Sequence, residues 1–193
     1  MGKQPAKVLE PEDICRVLKK TEQQRHVARN KVMILLSFKA GLRACEIAGL
    51  DWSRVLRSNG KTGSSITICK SIAKRGSGRT IPMNSDLHGA LKYLHSELHC
   101  PITGPVIRSE RGQHMTARSV VNWFSDIYAQ LGLRGCSSHS GRRTFITRAA
   151  RELSKTGGSL RDVQELAGHR ALTTTERYIQ GNRDAQRQLV GLI

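Results

Sequence analysis

Only one place in this chain alternates with the two-residue period of a strand. Residues 65–70 (SITICK) and 79–82 (RTIP) are rich in β-branched side chains, with apolar Ile66 and Ile68 alternating with polar neighbours, and the eight residues between them (SIAKRGSG) are rich in Gly and Ser. That combination predicts a β-hairpin. Elsewhere the apolar residues recur mostly at helical spacing. The chain is therefore confined to a mainly α fold with one small antiparallel sheet, an α+β class.

The helix signals are local and specific. Pro11, Glu12 and Asp13 open a first helix, with proline where its missing N–H costs nothing and acids at the positive end of the dipole. A second helix is expected over 28–40, carrying the apolar run Val32–Leu36 and capped by Gly41. A short helix over 44–50 follows. Asn84 or Ser85 caps a helix running to about Leu98, and residues 101–112 read as a connector with a short strand. Thr116 caps a helix bearing Val120, Val121, Trp123, Phe124 and Ile127. Further helices are expected at 140–153, 159–167, 173–179 and 183–192. No Pro- or Ser-rich linker divides the 193 residues, so one domain is expected, with residues 1–9 as a loose arm.

Charge narrows the partner. There are 32 Lys and Arg against 15 Asp and Glu, a net charge of +17. Such an excess repels itself in a compact state, and a nucleic-acid partner is its usual counterweight; a basic ribosome-associated surface or a simply solvated one is the alternative. Cys15, Cys45, Cys69, Cys100 and Cys136 are scattered, odd in number and form no CxxC pair. Neither a disulfide framework nor a zinc site is expected, and a reducing cytoplasm fits. The N-terminus has no apolar signal core, and no apolar run approaches the ~18 residues of a membrane span.

No GxSxG, P-loop or HExxH motif occurs, and carboxylates are too sparse for a two-metal nuclease. What remains is cations, histidines and tyrosine, the set that metal-free phosphodiester cleavage requires. Guanidinium groups hold the non-bridging oxygens, a nucleophile attacks in line, and an acid protonates the leaving oxygen. Four segments supply these parts. In Gly41-Leu42-Arg43-Ala44-Cys45-Glu46, Arg43 and Glu46 share a helix face, so Glu46 can hold the guanidinium. Lys74 lies in the hairpin loop, within reach of a leaving oxygen. His139 and Arg142 stand three apart at a helix start that favours phosphate. Tyr178 follows Gly168-His169 by a turn and three threonines. Each segment alone also reads as something ordinary: a surface ion pair, a solvated charge, a chance spacing, a buried tyrosine.

Together they resemble the catalytic domain of the tyrosine recombinase (phage integrase) family. That family carries a GLR-x-x-E box, a hairpin lysine, an H-x-x-R box, and a G-H box with tyrosine nine residues after the histidine. Arg43, Lys74, His139 with Arg142, His169 and Tyr178 stand here in that order and spacing, over about residues 8–181. The resemblance implies a DNA breaking-rejoining core in which Tyr178 forms a 3′-phosphotyrosine. Arg43 and Arg142 clamp the phosphate, Lys74 protonates the 5′ oxygen and His139 assists proton transfer. His169 donates a hydrogen bond to the phosphate, and Glu46 orients Arg43. It implies no metal and no cofactor. Arg75, Arg79, Arg143 and Arg170 are DNA-binding candidates.

Two departures stand out. Gly141 and Arg143 occupy positions where many members have Leu and a second His. In addition, Arg43 comes too early for the N-terminal core-binding domain that typical members carry. The expected layout is the arm at 1–9, the catalytic domain at 10–181 and a tail helix at 182–193. The tail, with Leu189, Val190, Leu192 and Ile193, is expected to dock either on its own domain or on a neighbouring subunit. A short member similar to fimbrial-type invertases, or a catalytic domain alone, fits that layout. The implied partners are double-stranded DNA with a specific site and a homo-tetramer on DNA, monomeric or weakly associated when free. The setting is the cytoplasm of a bacterium, host- or phage-encoded and nucleoid-associated. Alternatives are a type IB topoisomerase-like relaxation activity and a member that binds DNA without recombining it.

Overall fold

The computed structural model describes residues 5–73, 76–178 and 190–191. Eight helices and one hairpin follow in order: α1 (Pro11–Thr21), α2 (Val27–Lys39), α3 (Ala44–Ala48), β1 (Ser65–Ile68), β2 (Arg79–Pro82), α4 (Ser85–Glu97), α5 (Ala117–Gln130), α6 (Ser140–Thr156), α7 (Leu160–Ala167) and α8 (Leu172–Glu176). The mainly α reading with a two-stranded antiparallel sheet holds.

α2 is the organising element. Ala28 and every position from Val32 to Phe38 are buried. A helix apolar on all sides must be surrounded, and α1, α3, α4 and α6 pack around it. Gly41 follows at φ +62°, a left-handed conformation that only glycine adopts without strain. A Cβ there would also run into the Phe145 ring of α6. The residue that turns the chain into Arg43 is thus the one that lets α6 close over the turn. One turn earlier in α6, Gly141 lies against Ser37 and Phe38 of α2, where a Cβ would stand 2.8 Å from Ser37 Cβ. Glycine at this position therefore allows α2 and α6 to meet.

Caps fall where the sequence placed them. Asn84, rather than Ser85, caps α4 by accepting from Leu87 N–H at 3.1 Å. Thr116 accepts from Ser119 N–H at 3.0 Å at the start of α5. In the hairpin Ile66 pairs with Ile81, and Ile66, Ile68 and Ile81 point inward while Thr67 and Thr80 face out.

Several boundaries differ from expectation. β1 stops at Ile68 rather than residue 70. A single 3₁₀ turn at Trp52–Arg54 follows α3. The connector at 101–112 makes isolated pairings, Asp51 with Pro105 and Arg108 with His114, instead of a strand. α6 continues to Thr156, where Gly157 at φ +65° ends it. α8 closes at Glu176, leaving Tyr178 in the turn beyond it. Residues 5–9 are not loose: Lys7 N–H donates to Gly135 O at 3.0 Å, and buried Leu9 donates to Thr144 Oγ1 at 2.9 Å. Lys74, Arg75 and the tail helix expected over 183–192, apart from Val190 and Gly191, lie outside the described residues. Among the described residues no helix is long and apolar enough to cross a membrane.

The large core centres on α2 and takes in the hairpin, α4 and α5. A smaller one joins Ile146 of α6 to Val163 and Ala167 of α7, and Tyr178 packs against it.

Candidate active site

Two buried polar clusters meet at one open cleft of about 890 Å³, lined by Arg43, His139, Arg142, His169 and Tyr178 among others. The first cluster centres on Glu46, which is fully buried. Its carboxylate accepts from Arg43 N–H at 2.8 Å and Arg43 Nη1 at 2.9 Å. Arg79 meets the same carboxylate as a fork, Nη1 to Oε1 at 2.8 Å and Nη2 to Oε2 at 2.9 Å. Burial alone would raise the Glu46 pKa, but the hydrogen bonds and charges of Arg79 and Arg43 outweigh it and hold it below the usual range.

Arg79 was expected to contact DNA. Its side chain is instead only 5% exposed, with Nε donating to Leu166 O at 2.8 Å and both η nitrogens on Glu46. It begins β2 on the inward side of the hairpin, so its charge neutralises the buried carboxylate. Arg43, with Nη1 on Glu46, keeps 16% of its side chain exposed toward the cleft.

The second cluster centres on Arg142, 4% exposed on the first turn of α6. Nη1 donates to Gly41 O at 2.7 Å and Nη2 to Ala167 O at 2.6 Å, so the guanidinium joins the turn before Arg43 to the end of α7. Burial, followed by the repulsion of Arg43, lowers its pKa to about 10, which leaves it charged at neutral pH.

Nη2 also lies 2.9 Å from His169 Nε2. A guanidinium can only donate, so Nε2 accepts and the ring proton is on Nδ1. Nδ1 lies 3.0 Å from Thr175 Oγ1, which accepts it. Burial and then the charges of Arg142, Arg43 and Arg79 push the His169 pKa down to about 4, so the ring is neutral at pH 7.

Gly168, at φ +62°, turns the chain out of α7 and sets His169 over this cluster. Gln164 Nε2 holds the turn by donating to the His169 carbonyl at 3.0 Å. The Tyr178 ring stacks on His169 with centroids 5.5 Å apart and planes at 25°. Arg143 Cζ sits 5.7 Å from the Tyr178 ring centre, a cation–π contact. His139 precedes α6 at the cleft wall, and exposed Arg170 lines the rim. The cleft thus gathers guanidinium groups around a tyrosine at the positive end of α6, and the carboxylate buried beside them, Glu46, is already neutralised. That is a receptor for an anion beside a phenol.

The structure brings Arg43, Glu46, His139, Arg142, Arg143, His169, Arg170 and Tyr178 together. Sequence reasoning missed Thr175. Three consecutive threonines precede the tyrosine, and only the helical phase of α8 decides that Thr175 is the buried one.

Comparison with known proteins identifies the family and the fold. The phage integrase family model matches residues 7–184. The tyrosine recombinase XerC of Pelobacter propionicus is 28% identical over 160 residues, covering 82% of this chain and 49% of that protein. XerC of Myxococcus xanthus is 29% identical, covering 90% of this chain and 58% of its own length. The chain thus spans about half the length of the curated relatives it matches. Among solved structures, XerA recombinase superposes with a TM-score of 0.74 at 21% identity, covering 100% of this chain and 65% of that one. The Tn1549 transposon integrase in complex with transposon right end DNA gives 0.73 at 18% identity, covering 98% and 67%.

Proposed function

The chain belongs to the phage integrase family, and from that premise we propose that it cleaves and rejoins DNA strands at a specific site through a covalent bond to Tyr178. The observation that carries this reading is the convergence of Arg43, Arg142, His169 and Tyr178, from distant segments of sequence, on one cleft.

In the proposed reaction the scissile phosphodiester enters the cleft and its non-bridging oxygens bind Arg43 and Arg142. Both are anchored from behind, Arg43 by Glu46 and Arg142 by Gly41 O and Ala167 O, so the contact between Arg142 and His169 is what gives way as charge develops. Tyr178 Oη attacks phosphorus, the bond to the 5′ oxygen breaks, and a 3′-phosphotyrosine forms. His139 assists removal of the phenol proton. Lys74, in the loop between the strands, delivers a proton to the 5′ oxygen. One phosphodiester replaces another, so the bond energy is kept for rejoining.

His169 changes role in this scheme. Before phosphate arrives, Nε2 accepts from Arg142. Once phosphate oxygens draw the guanidinium away, their negative charge favours a proton on Nε2, and the ring donates to the phosphate.

Partners follow from the same reading: duplex DNA bearing the recombination site, and a homo-tetramer on that DNA. The test is recovery of protein–DNA adducts from a library of nicked duplexes of randomised sequence. The reading predicts adducts enriched for one sequence, with the DNA on the peptide containing residue 178. Recovery of bound but never covalently joined DNA would favour a binding-only protein. Adducts without sequence enrichment, coupled to plasmid relaxation, would favour a topoisomerase.

A further inference from the structure

Thr175 is fully buried in α8, yet its side chain holds a group of the cleft. Its Oγ1 lies 3.0 Å from His169 Nδ1, and its carbonyl accepts from Tyr178 N–H at 2.9 Å. One residue thus ties down the ring of His169 and the backbone of Tyr178, whose rings stack on each other. The far side of the His169 ring is fixed by Arg142, which can only donate to Nε2. Arg142 alone would leave the Nδ1 proton buried without an acceptor; Thr175 supplies that acceptor, and the two contacts together make this tautomer the favoured one. The opposite tautomer would place an N–H against the Arg142 guanidinium and leave that buried donor facing another donor.

We infer that Thr175 is a positioning residue for strand cleavage, fixing the tautomer and orientation of His169 so that Nε2 always faces the phosphate position. This rests on the proposed cleavage reaction for its effect on rate, but not for its effect on the ring. Because Oγ1 accepts from Nδ1–H whether or not Nε2 is protonated, His169 passes from acceptor to donor without turning. Orienting contacts of this kind, one atom behind the reacting group, hold a ring that would otherwise rotate.

The experiment uses the whole chain as wild type, Thr175→Val and Thr175→Ser. Valine keeps the shape and removes the acceptor; serine keeps the hydroxyl. Imidazole ¹⁵N spectra without DNA report the His169 tautomer, assigned by comparison with His169→Gln. Adduct formation on nicked duplexes gives the rate. Wild type and Thr175→Ser should show a protonated Nδ1 and a bare Nε2. Thr175→Val should lose that signature and form adducts about tenfold more slowly, the order expected for one lost hydrogen bond. Retention of the signature and rate by Thr175→Val would overturn the inference. So would a Thr175→Ser variant as slow as valine, since the methyl group and not the hydroxyl would then matter. If wild type forms no adduct, the cleavage reading fails while the tautomer comparison still decides whether Thr175 sets the ring.

Discussion

Arg79 and Glu46 form a forked ion pair beneath the cleft, two parallel N–H···O contacts of 2.8 and 2.9 Å between side chains 5% and 0% exposed. Such a pair is weak evidence of net stability, but removing one partner strands the other's charge. Arg79→Met should therefore lower the unfolding free energy by about 3 kcal/mol. Arg79→Lys, which keeps a charge but loses the fork, should fall between. Urea unfolding measures both. A loss below about 1 kcal/mol for methionine would mean that Arg43 alone satisfies the buried carboxylate.

The contact between Gly141 and Ser37 is equally testable. Gly141→Ala places a Cβ 2.8 Å from Ser37 Cβ and should destabilise by about 1–3 kcal/mol despite alanine's better helix propensity. Adding Ser37→Gly should recover part of that loss, beyond what two independent changes would give. Additive effects across the cycle would show that the helices tolerate a side chain here.

These two glycine and arginine positions show what the sequence reveals and what it hides. Helix starts at Pro11, Asn84 and Thr116 are local events, written in a cap residue and the few after it, and they appear where read. The site segments at 41–46, 139–142 and 168–178 were likewise legible as short spacings. Which face a residue turns inward is not local. Arg79 looked like one more cation in a basic hairpin, and only Glu46, 33 residues earlier, draws it under the cleft. Thr175 is one of three threonines until α8 is packed on its neighbours. The arm at residues 5–9 looked loose because its partners, Gly135 and Thr144, are more than 120 residues away.

Acid should weaken the fold through His169 before it does so through Glu46. The folded pKa of His169, about 4, lies below the unfolded value of about 6.5. Between these the unfolded chain binds a proton that the native ring refuses, so stability is full above pH 6.5 and declines as pH falls toward 4. Glu46, with its pKa depressed, contributes above its unfolded value near 4.5 and loses that contribution only as pH falls through its lower folded pKa. Urea unfolding of wild type and His169→Gln from pH 7 to 4.5 isolates the histidine from the other six. The stability difference should shift against wild type as pH falls. A difference that stays constant across this range would mean the ring titrates normally.

The most direct test of the central claim is the covalent trap applied to Tyr178→Phe. Phenylalanine keeps the ring that stacks on His169 and removes only the attacking oxygen. The account predicts that wild type and variant bind the selected nicked duplex equally well, that wild type forms an adduct mapping to Tyr178, and that the variant forms none. An adduct that persists in Tyr178→Phe, or that maps to another residue in wild type, would contradict it.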